Sequence, residues 1–305
     1  MRQVYLTMGA VIYNQEHYVK EWLAFHHLVG VERFVIVLHK CTDKTEEKIR
    51  ELPFQDKIHI HRVVNNEQFV QLGTYLWILK NYGQATQWMM FIDSDEHFFG
   101  TREDDLRFIL TDYEQYGGLA AHWLEFGSDG NTVRPKGLAI EAFTRRAADD
   151  HCPHYSFKSI IQPQRFVKML SPHLAVTNPP IVTEDHRHVN PNWIWIGDKK
   201  PIHEIVRCNH YHIRSMEDWV ERYSRGQCND SDATCTPEKM YTSRIFKERD
   251  HEAVHDTCIL RFTERLKEIL DEPDMFRLKM LSQPVTVSTP VSPPSYTFVS
   301  DISMF

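Results

Sequence analysis

The sequence predicts an α/β chain built on a Rossmann-like, mostly parallel sheet flanked by helices. Three observations predict it. Apolar runs at Val4–Ile12, Arg33–Leu38 and Trp88–Ile92 are short, rich in β-branched and aromatic residues and free of polar alternation. That is the pattern of strands covered on both faces. Segments with helical periodicity separate the runs. The last run opens into three carboxylates within four residues, Asp93-Ser94-Asp95-Glu96, at the strand end where open α/β sheets carry their ligands.

The elements follow in order. Residues Glu16–Val29 place Tyr18, Trp22, Phe25 and Val29 at three- and four-residue spacing, an amphipathic helix, and Gly30 is its expected stop. Thr42-Asp43 supplies an N-cap for a second helix reaching to Leu52. Ile58–Val64 reads as a short strand and Glu67–Asn81 as a third helix, completing the alternation β-α-β-α-β-α-β of a nucleotide-binding sheet. Beyond Gly100 the pattern changes. Asp104–Tyr116 is an expected helix. Gly118–Phe126 is an expected strand running into the turn-rich Phe126-Gly127-Ser128-Asp129-Gly130, and Leu138–Thr144 and Phe157–Ile161 are further expected strands. Pro163–Pro201, rich in Pro, His and Asn, is expected to be long and irregular, as functional segments often are. Met216–Arg225 and Ser243–Leu270 are expected C-terminal helices. Ser282–Phe305, rich in Ser, Thr, Pro and Val, is expected to be an extended or disordered tail. The expected organisation is one domain over 1–281, with a nucleotide-binding half at 1–100 and a second half at 101–281, followed by the tail at 282–305.

Composition narrows the function. A chain of 305 residues that is 42% hydrophobic can bury one large α/β core. A net charge of -7 argues against a general nucleic-acid binder, which would carry a basic excess. The six cysteines are scattered without a C-x-x-C pair, which suits free thiols in a reducing compartment. No basic stretch followed by an apolar segment opens the chain, and the run Val4–Tyr13 is too short to span a bilayer. The expectation is a cytoplasmic protein, compatible with peripheral association with a membrane.

The acidic cluster carries the chemistry. Asp93 and Asp95, two residues apart in extended chain, can point to one side, and two such carboxylates repel unless a cation lies between them. Oxygen ligands suit Mg²⁺ or Mn²⁺, which commonly bridge carboxylates to phosphates. Of eighteen histidines, His59/His61, His186/His188 and His210/His212 form H-x-H pairs, so zinc is a rival ion. No H-E-x-x-H accompanies them. His210 stands out because Arg214, Arg222 and Arg225, cations able to reach a phosphate, follow it closely.

At these residues the chain resembles glycosyltransferase family 92 and related family-2-like enzymes. The resemblance spans about residues 4 to 226. It rests on Asn14-Gln15-Glu16-His17-Tyr18-Val19-Lys20-Glu21-Trp22 with His26, on Asp93-Ser94-Asp95-Glu96, on Trp123, Phe126-Gly127-Ser128, Glu141-Ala142-Phe143-Thr144, Lys158-Ser159-Ile160 and Pro172-His173, and on Asn209-His210-Tyr211 with Ser215 and Arg225-Gly226. It implies a GT-A fold, a divalent metal (Mn²⁺ or Mg²⁺), a nucleotide-sugar donor, a glycan or glycoconjugate acceptor, and inversion at the anomeric carbon, with a hexose such as galactose as the sugar. By position, Asp95 would ligate the metal, Asp93 would contact metal or ribose, and His210 would complete the metal shell. Asn14 and Asp43 would flank the donor base, and Lys158, Arg222 or Arg225 would contact the diphosphate. Inversion needs a general base. Glu125, Asp129, Glu141, Glu184 and Asp185 are the carboxylates to consider; Asp129, on the loop beside the expected acceptor, and Glu141, in a family motif, lead. Trp123 could stack on a sugar ring. Gln15, His39, Lys40 and His97 depart from the family pattern. The rival readings are a metal-dependent phosphoesterase and a non-catalytic sugar-binding module on the same scaffold.

Overall fold

The structure is a computed structural model that describes residues 2–63, 70–190, 200–224 and 243–271, with the isolated positions 273 and 276. Its first third runs β1 (Val4–Ile12), α1 (Val19–Leu28), β2 (Arg33–His39), α2 (Thr45–Arg50), β3 (Ile58–Val63), α3 (Val70–Tyr82) and β4 (Thr86–Phe91), the alternation read from sequence. The strands are apolar on both sides because both faces are covered. Phe34, Ile36 and Leu38 of β2 enter the core packed under α1 with Trp22 and Phe25, while Val35 and Val37 enter the opposite core with Tyr75 and Ile78 of α3.

The remaining elements are β5 (Glu96–Gly100), α4 (Leu106–Thr111), β6 (Gly118–Glu125), α5 (Ala139–Ala142), β7 (Arg145–Arg146), β8 (Phe157–Ile161), β9 (Phe166–Ser171), β10 (Leu174–Thr177), β11 (Ile181–Thr183), β12 (Val206–His210), α6 (Met216–Ser224), α7 (Ser243–Arg249), β13 (Val254–His255) and α8 (Thr263–Asp271). The main sheet has nine strands in the order β3-β2-β1-β4-β8-β6-β12-β5, with β11 added on β6. The first four are parallel. β8 is antiparallel to both β4 and β6, and β12 is parallel to β6. The carboxyl ends of β1, β4, β6 and β12 therefore share one edge of the sheet.

Several expectations are corrected. Leu138–Thr144 is not a strand; its Ala139–Ala142 portion is the short helix α5. A distant side chain causes this: the carboxylate of Glu21 on α1 accepts the N–H groups of Ala139 at 2.6 Å and Ile140 at 3.0 Å, capping the helix from outside. Ser243–Leu270 is two helices, α7 and α8, not one. The chain between them is drawn out because Asp250 accepts from Ser128 and Asp256 from Arg146 and Arg207, all far away in sequence. The described part of Pro163–Pro201 is less irregular than expected, holding the antiparallel pair β9–β10 and the strand β11. Strands β5 and β12 were not expected. The tail 282–305 lies outside the described residues. Among the described residues, no helix is long and apolar enough to cross a membrane, and Cys41, Cys152, Cys208 and Cys258 are free thiols.

Trp22 and His26 of the opening motif are scaffolding. Trp22 Nε1 donates to the Glu96 carbonyl at 2.8 Å, and the His26 ring meets the Trp22 carbonyl at 2.7 Å while its Nε2 accepts the Phe98 N–H at 3.3 Å. His97 sits where the family pattern has an aromatic residue and packs as one, with its ring 4.8 Å from that of Phe25 and 5.1 Å from that of Tyr211.

Burial pushes the Glu21 carboxyl up to about 7 from a usual 4.5, against the pull of the Ile140 and Ala139 N–H groups. The folded state then holds a proton that the unfolded chain releases. The stability this confers is complete below about pH 4.5 and lost as pH rises through about 7. Denaturant unfolding at pH 5 and pH 8 should show wild type losing on the order of 3 kcal/mol more than Glu21→Gln over that interval; equal losses would count against the buried acid.

Candidate metal and donor site

An open cavity of about 730 Å³ lies at the shared carboxyl edge, lined by Tyr13 and Gln15 after β1, Asp93, Ser94 and Asp95 after β4, Trp123 and Glu125 on β6, and His210 and His212 from the end of β12. Its size suits a small-molecule ligand. Strand register builds it. His210 lies opposite Glu125 on the parallel neighbour and opposite Glu96 on the antiparallel one. The Tyr211 N–H donates to the Asp95 carbonyl at 2.7 Å, tying β12 to the acidic turn.

The three carboxylates of that turn have different surroundings. Asp93 accepts from Lys158 Nζ at 2.9 Å and from Gln71 at 2.5 Å. Glu96 is fully buried; its Oε2 accepts the Asp93 N–H at 2.7 Å and lies 3.4 Å from Lys158 Nζ. Burial pushes the Glu96 carboxyl up to about 8 despite Lys158. Burial would likewise raise Asp93, but Lys158 overrides it and holds the carboxyl below its usual range. Asp95 faces the cavity: Arg222 of α6 donates to Oδ2 at 2.7 Å, and His210 Nε2 lies 3.7 Å from Oδ1. Against burial, Arg222 and His210 hold the Asp95 carboxyl well below its usual range. His210 Nδ1 lies 2.7 Å from Glu125 Oε1, the carboxylate–imidazole arrangement that orients a ligating histidine.

Among the described residues, Asp95, His210 and His212 form a group whose ligand atoms all lie within 4.8 Å of one another. One carboxylate and two imidazoles suit a divalent cation. His212 supports the fit: its Nε2 is buried with no hydrogen-bond partner among the described residues, leaving a ring nitrogen available to a cation. The structure thus brings Asp95 and His210 together as expected, adds His212, and places Asp93 beside this group in the same cavity with its oxygens held by Lys158, Gln71 and, at 3.4 Å, Tyr75.

The other candidates fall elsewhere. Asp129 accepts the Thr144 N–H at 3.0 Å and hydroxyl at 2.6 Å, closing a turn at a positive φ of 50°. Glu141 is paired with Lys267 of α8 at 2.7 Å. Neither lines the cavity, because α5 is a helix turned toward α8 and Asp129 faces its own loop. Glu184 accepts the N–H groups of Glu204, Ile205 and Val206 at 2.7, 3.0 and 2.8 Å, and Asp185 pairs with Arg187 at 2.5 Å. Glu125 is the one base candidate that reaches the cavity. Asn14 and Asp43 hold the loops after β1 and β2 together: Asn14 Oδ1 accepts the Thr42 N–H at 2.8 Å and Asp43 the Glu16 N–H at 3.0 Å. Lys158, with no exposed surface, acts on Asp93 rather than on the cavity. Arg225 lies outside the described residues. Sequence reading missed His212 as a ligand, although its H-x-H spacing with His210 was visible, named His173 only as part of a family motif, and missed His151, Arg249 and His251, for which local sequence carries no signal.

No known family model matches the chain. Curated relatives do. A glycosyltransferase family 92 protein of Oryza sativa subsp. japonica is 23% identical over 222 residues, covering 72% of this chain and 35% of its own length. One of Arabidopsis thaliana is 24% identical over 54% of this chain and 30% of its own length, and one of Ricinus communis 24% over 61% and 32%. The chain thus spans about a third of the length of the curated relatives it matches. Among solved structures, S. aureus TarS in complex with UDP matches at 15% identity and a TM-score of 0.38, over 80% of this chain and 72% of that one. Glucosyl-3-phosphoglycerate synthase from Mycobacterium tuberculosis, in complex with Mn²⁺, UDP and phosphoglyceric acid, matches at 15% and 0.27, over 39% and 43%. At these scores the structural likenesses carry nothing about ligand or reaction. The curated matches agree with the ordered motifs: the chain resembles glycosyltransferase family 92 proteins, on the GT-A-type, mostly parallel sheet that the resemblance implies.

Titration calorimetry with Mn²⁺ should show Asp95→Ala and His212→Ala each weakening binding at least about tenfold, about 1.4 kcal/mol, with Asp129→Ala and Glu141→Ala at wild-type affinity; wild-type affinity in His212→Ala would remove it from the site. Lys158→Met, which removes the cation beside half-buried Asp93 and buried Glu96, should cost about 3–5 kcal/mol in denaturant unfolding.

Proposed function

We propose that the chain is a metal-dependent glycosyltransferase that moves a hexose, with inversion, from a nucleotide-diphosphate sugar to a glycan or glycoconjugate acceptor. The observation that carries the reading is the convergence of Asp95, His210 and His212 on one cavity at the carboxyl edge of a nucleotide-binding type of sheet. The resemblance to family 92 proteins supports it. In this reading residues 1–100 bind the donor, 101–281 take the acceptor, and the loops held by Asn14 and Asp43 flank the nucleoside.

Asp95, His210 and His212 would hold the metal, and the imidazoles favour Mn²⁺ over Mg²⁺. Bound there, the ion would supply positive charge to the leaving diphosphate. Arg222, already on Asp95 at 2.7 Å, supplies a second cation at the same point. Lys158 and Gln71 fix Asp93 in one orientation for the donor, and the Trp123 ring, part of the cavity wall, offers a face for a sugar. Glu125 is the general base of this proposal in place of Asp129 and Glu141. Apart from Asp93 and Asp95, it is the carboxylate among the described residues that lines the cavity.

Incubation with UDP-, GDP- and dTDP-hexoses and Mn²⁺ distinguishes this from phosphoester hydrolysis: transfer requires an acceptor, hydrolysis does not. Glu125→Gln should reduce kcat by about 10²–10⁴ and leave metal and nucleotide affinity within about twofold, since an amide oxygen can still accept from His210 Nδ1. Undiminished turnover in that variant would take Glu125 out of the chemistry.

A further inference from the structure

Three carboxylates line the cavity, and each has a basic partner within the protein: Asp93 with Lys158 at 2.9 Å, Asp95 with Arg222 at 2.7 Å and Glu125 with His210 at 2.7 Å. Arg249, the last residue of α7, lines the same cavity, is exposed, and makes no ion pair among the described residues. The same lining holds two imidazoles, His151 and His251, with ring centroids 4.3 Å apart.

This wall is built rather than incidental. Asp250 accepts the Ser128 N–H and hydroxyl, each at 2.6 Å, and Glu252 accepts the Gly130 N–H at 2.8 Å. The alternation clamps both carboxylates to the loop after β6 and leaves His251, between them, in the cavity lining. The clamp requires a glycine beneath it, because a Cβ on Gly127 would lie 2.6 Å from Asp250 Oδ1 and 2.7 Å from the His251 carbonyl. On the other side, the turn that begins at His151 is fastened to the candidate base: His154 Nε2 accepts the Glu125 N–H at 3.0 Å. Arg249 and His251 lie beyond residues 4–226, the stretch that carries the family motifs.

We propose that this wall is the acceptor subsite, and that the acceptor carries an anionic substituent, a phosphate or a carboxylate, seated on Arg249 with His151 and His251 donating to its oxygens. The inference rests on the transferase reading. A base must sit beside the hydroxyl it deprotonates, and this wall adjoins Glu125. The guanidinium fork matches phosphate and carboxylate oxygens, and a neutral imidazole has one N–H to donate. Arg249 also acts electrostatically on His212, so the competing occupant is the donor diphosphate.

Calorimetry separates them. The protein is saturated with Mn²⁺ and a nucleoside diphosphate, then titrated with hexose 6-phosphate, hexuronate or neutral hexose; the nucleotide is titrated separately. The anionic sugars should bind at least tenfold more tightly than the neutral hexose. The better of the two identifies the substituent. Arg249→Ala and His251→Ala should each lose at least tenfold for the anionic sugar, with nucleotide affinity within twofold and an unchanged Tm. Gly127→Ala, which displaces the clamp without touching the donor groups, should reproduce the loss. Equal binding of neutral and anionic sugars overturns the subsite. A tenfold loss of nucleotide affinity in Arg249→Ala reassigns the wall to the donor and also overturns it. Absence of nucleotide binding in wild type, with anionic-sugar binding still dependent on Arg249 and His251, overturns the acceptor role through failure of the transferase reading itself.

Discussion

The candidate site depends on one buried lysine. Lys158, on β8 with no exposed surface, reaches Asp93 at 2.9 Å and Glu96 at 3.4 Å. Burial alone would lower its ammonium; Asp93 and Glu96 instead hold it well above the usual lysine range. Carboxylates at this density cannot stay ionised in a poorly solvated setting without a cation among them. Lys158 supplies it for Asp93, while burial still pushes the neighbouring Glu96 up to about 8, and Asp95 is left to face the cavity. Lys158 can do so because β8 runs antiparallel between β4 and β6, next to the strand from which the acidic turn emerges.

The same sheet order explains the rest of the edge. β6 and β12 are parallel neighbours in a register that sets Glu125 opposite His210, and β5 returns antiparallel to set Glu96 on the other side of His210. Two residues on, His212 falls within reach of the same point. Arg222 then reaches back from α6 to Asp95 at 2.7 Å, while Arg214, turned by a positive φ of 53°, ties Gln15 to the Ser94 carbonyl at 3.0 and 2.9 Å. The acidic turn is held by contacts from α1, α3, β8, α6 and the residue just after β12, elements spread over most of the chain.

The first third of the fold was legible because its signals are local. A strand covered on both faces is nearly all apolar, and β1 carries that signature over Val4–Ile12, its buried Thr7 bonded to Thr86 at 2.8 Å. α1 repeats its apolar residues at helical spacing for the same kind of reason. The later errors have the opposite character. Leu138–Thr144 has the composition of a strand, yet Glu21, more than a hundred residues earlier, caps Ala139 and Ile140 and turns the segment into a helix. The periodicity of Ser243–Leu270 runs across the 250–256 region, but Asp250 and Asp256 are more strongly engaged by Ser128, Arg146 and Arg207 than by a helix.

By itself the sequence determined the nucleotide-binding type of sheet and the acidic turn at the end of its fourth strand, and it singled out a late histidine, since strand burial and clustered charge are written in neighbouring residues. Only the tertiary structure decided which of those charged groups face the cavity. It buried Glu96, gave Asp93 to Lys158, set Asp95 with His210 and His212, brought Glu125 to the cavity, and turned Asp129 and Glu141 away from it. The physical reason is that a carboxylate's role follows from which cation or N–H group meets it. Those partners lie 65 residues away for Asp93 and 127 for Asp95, a separation that no local pattern records.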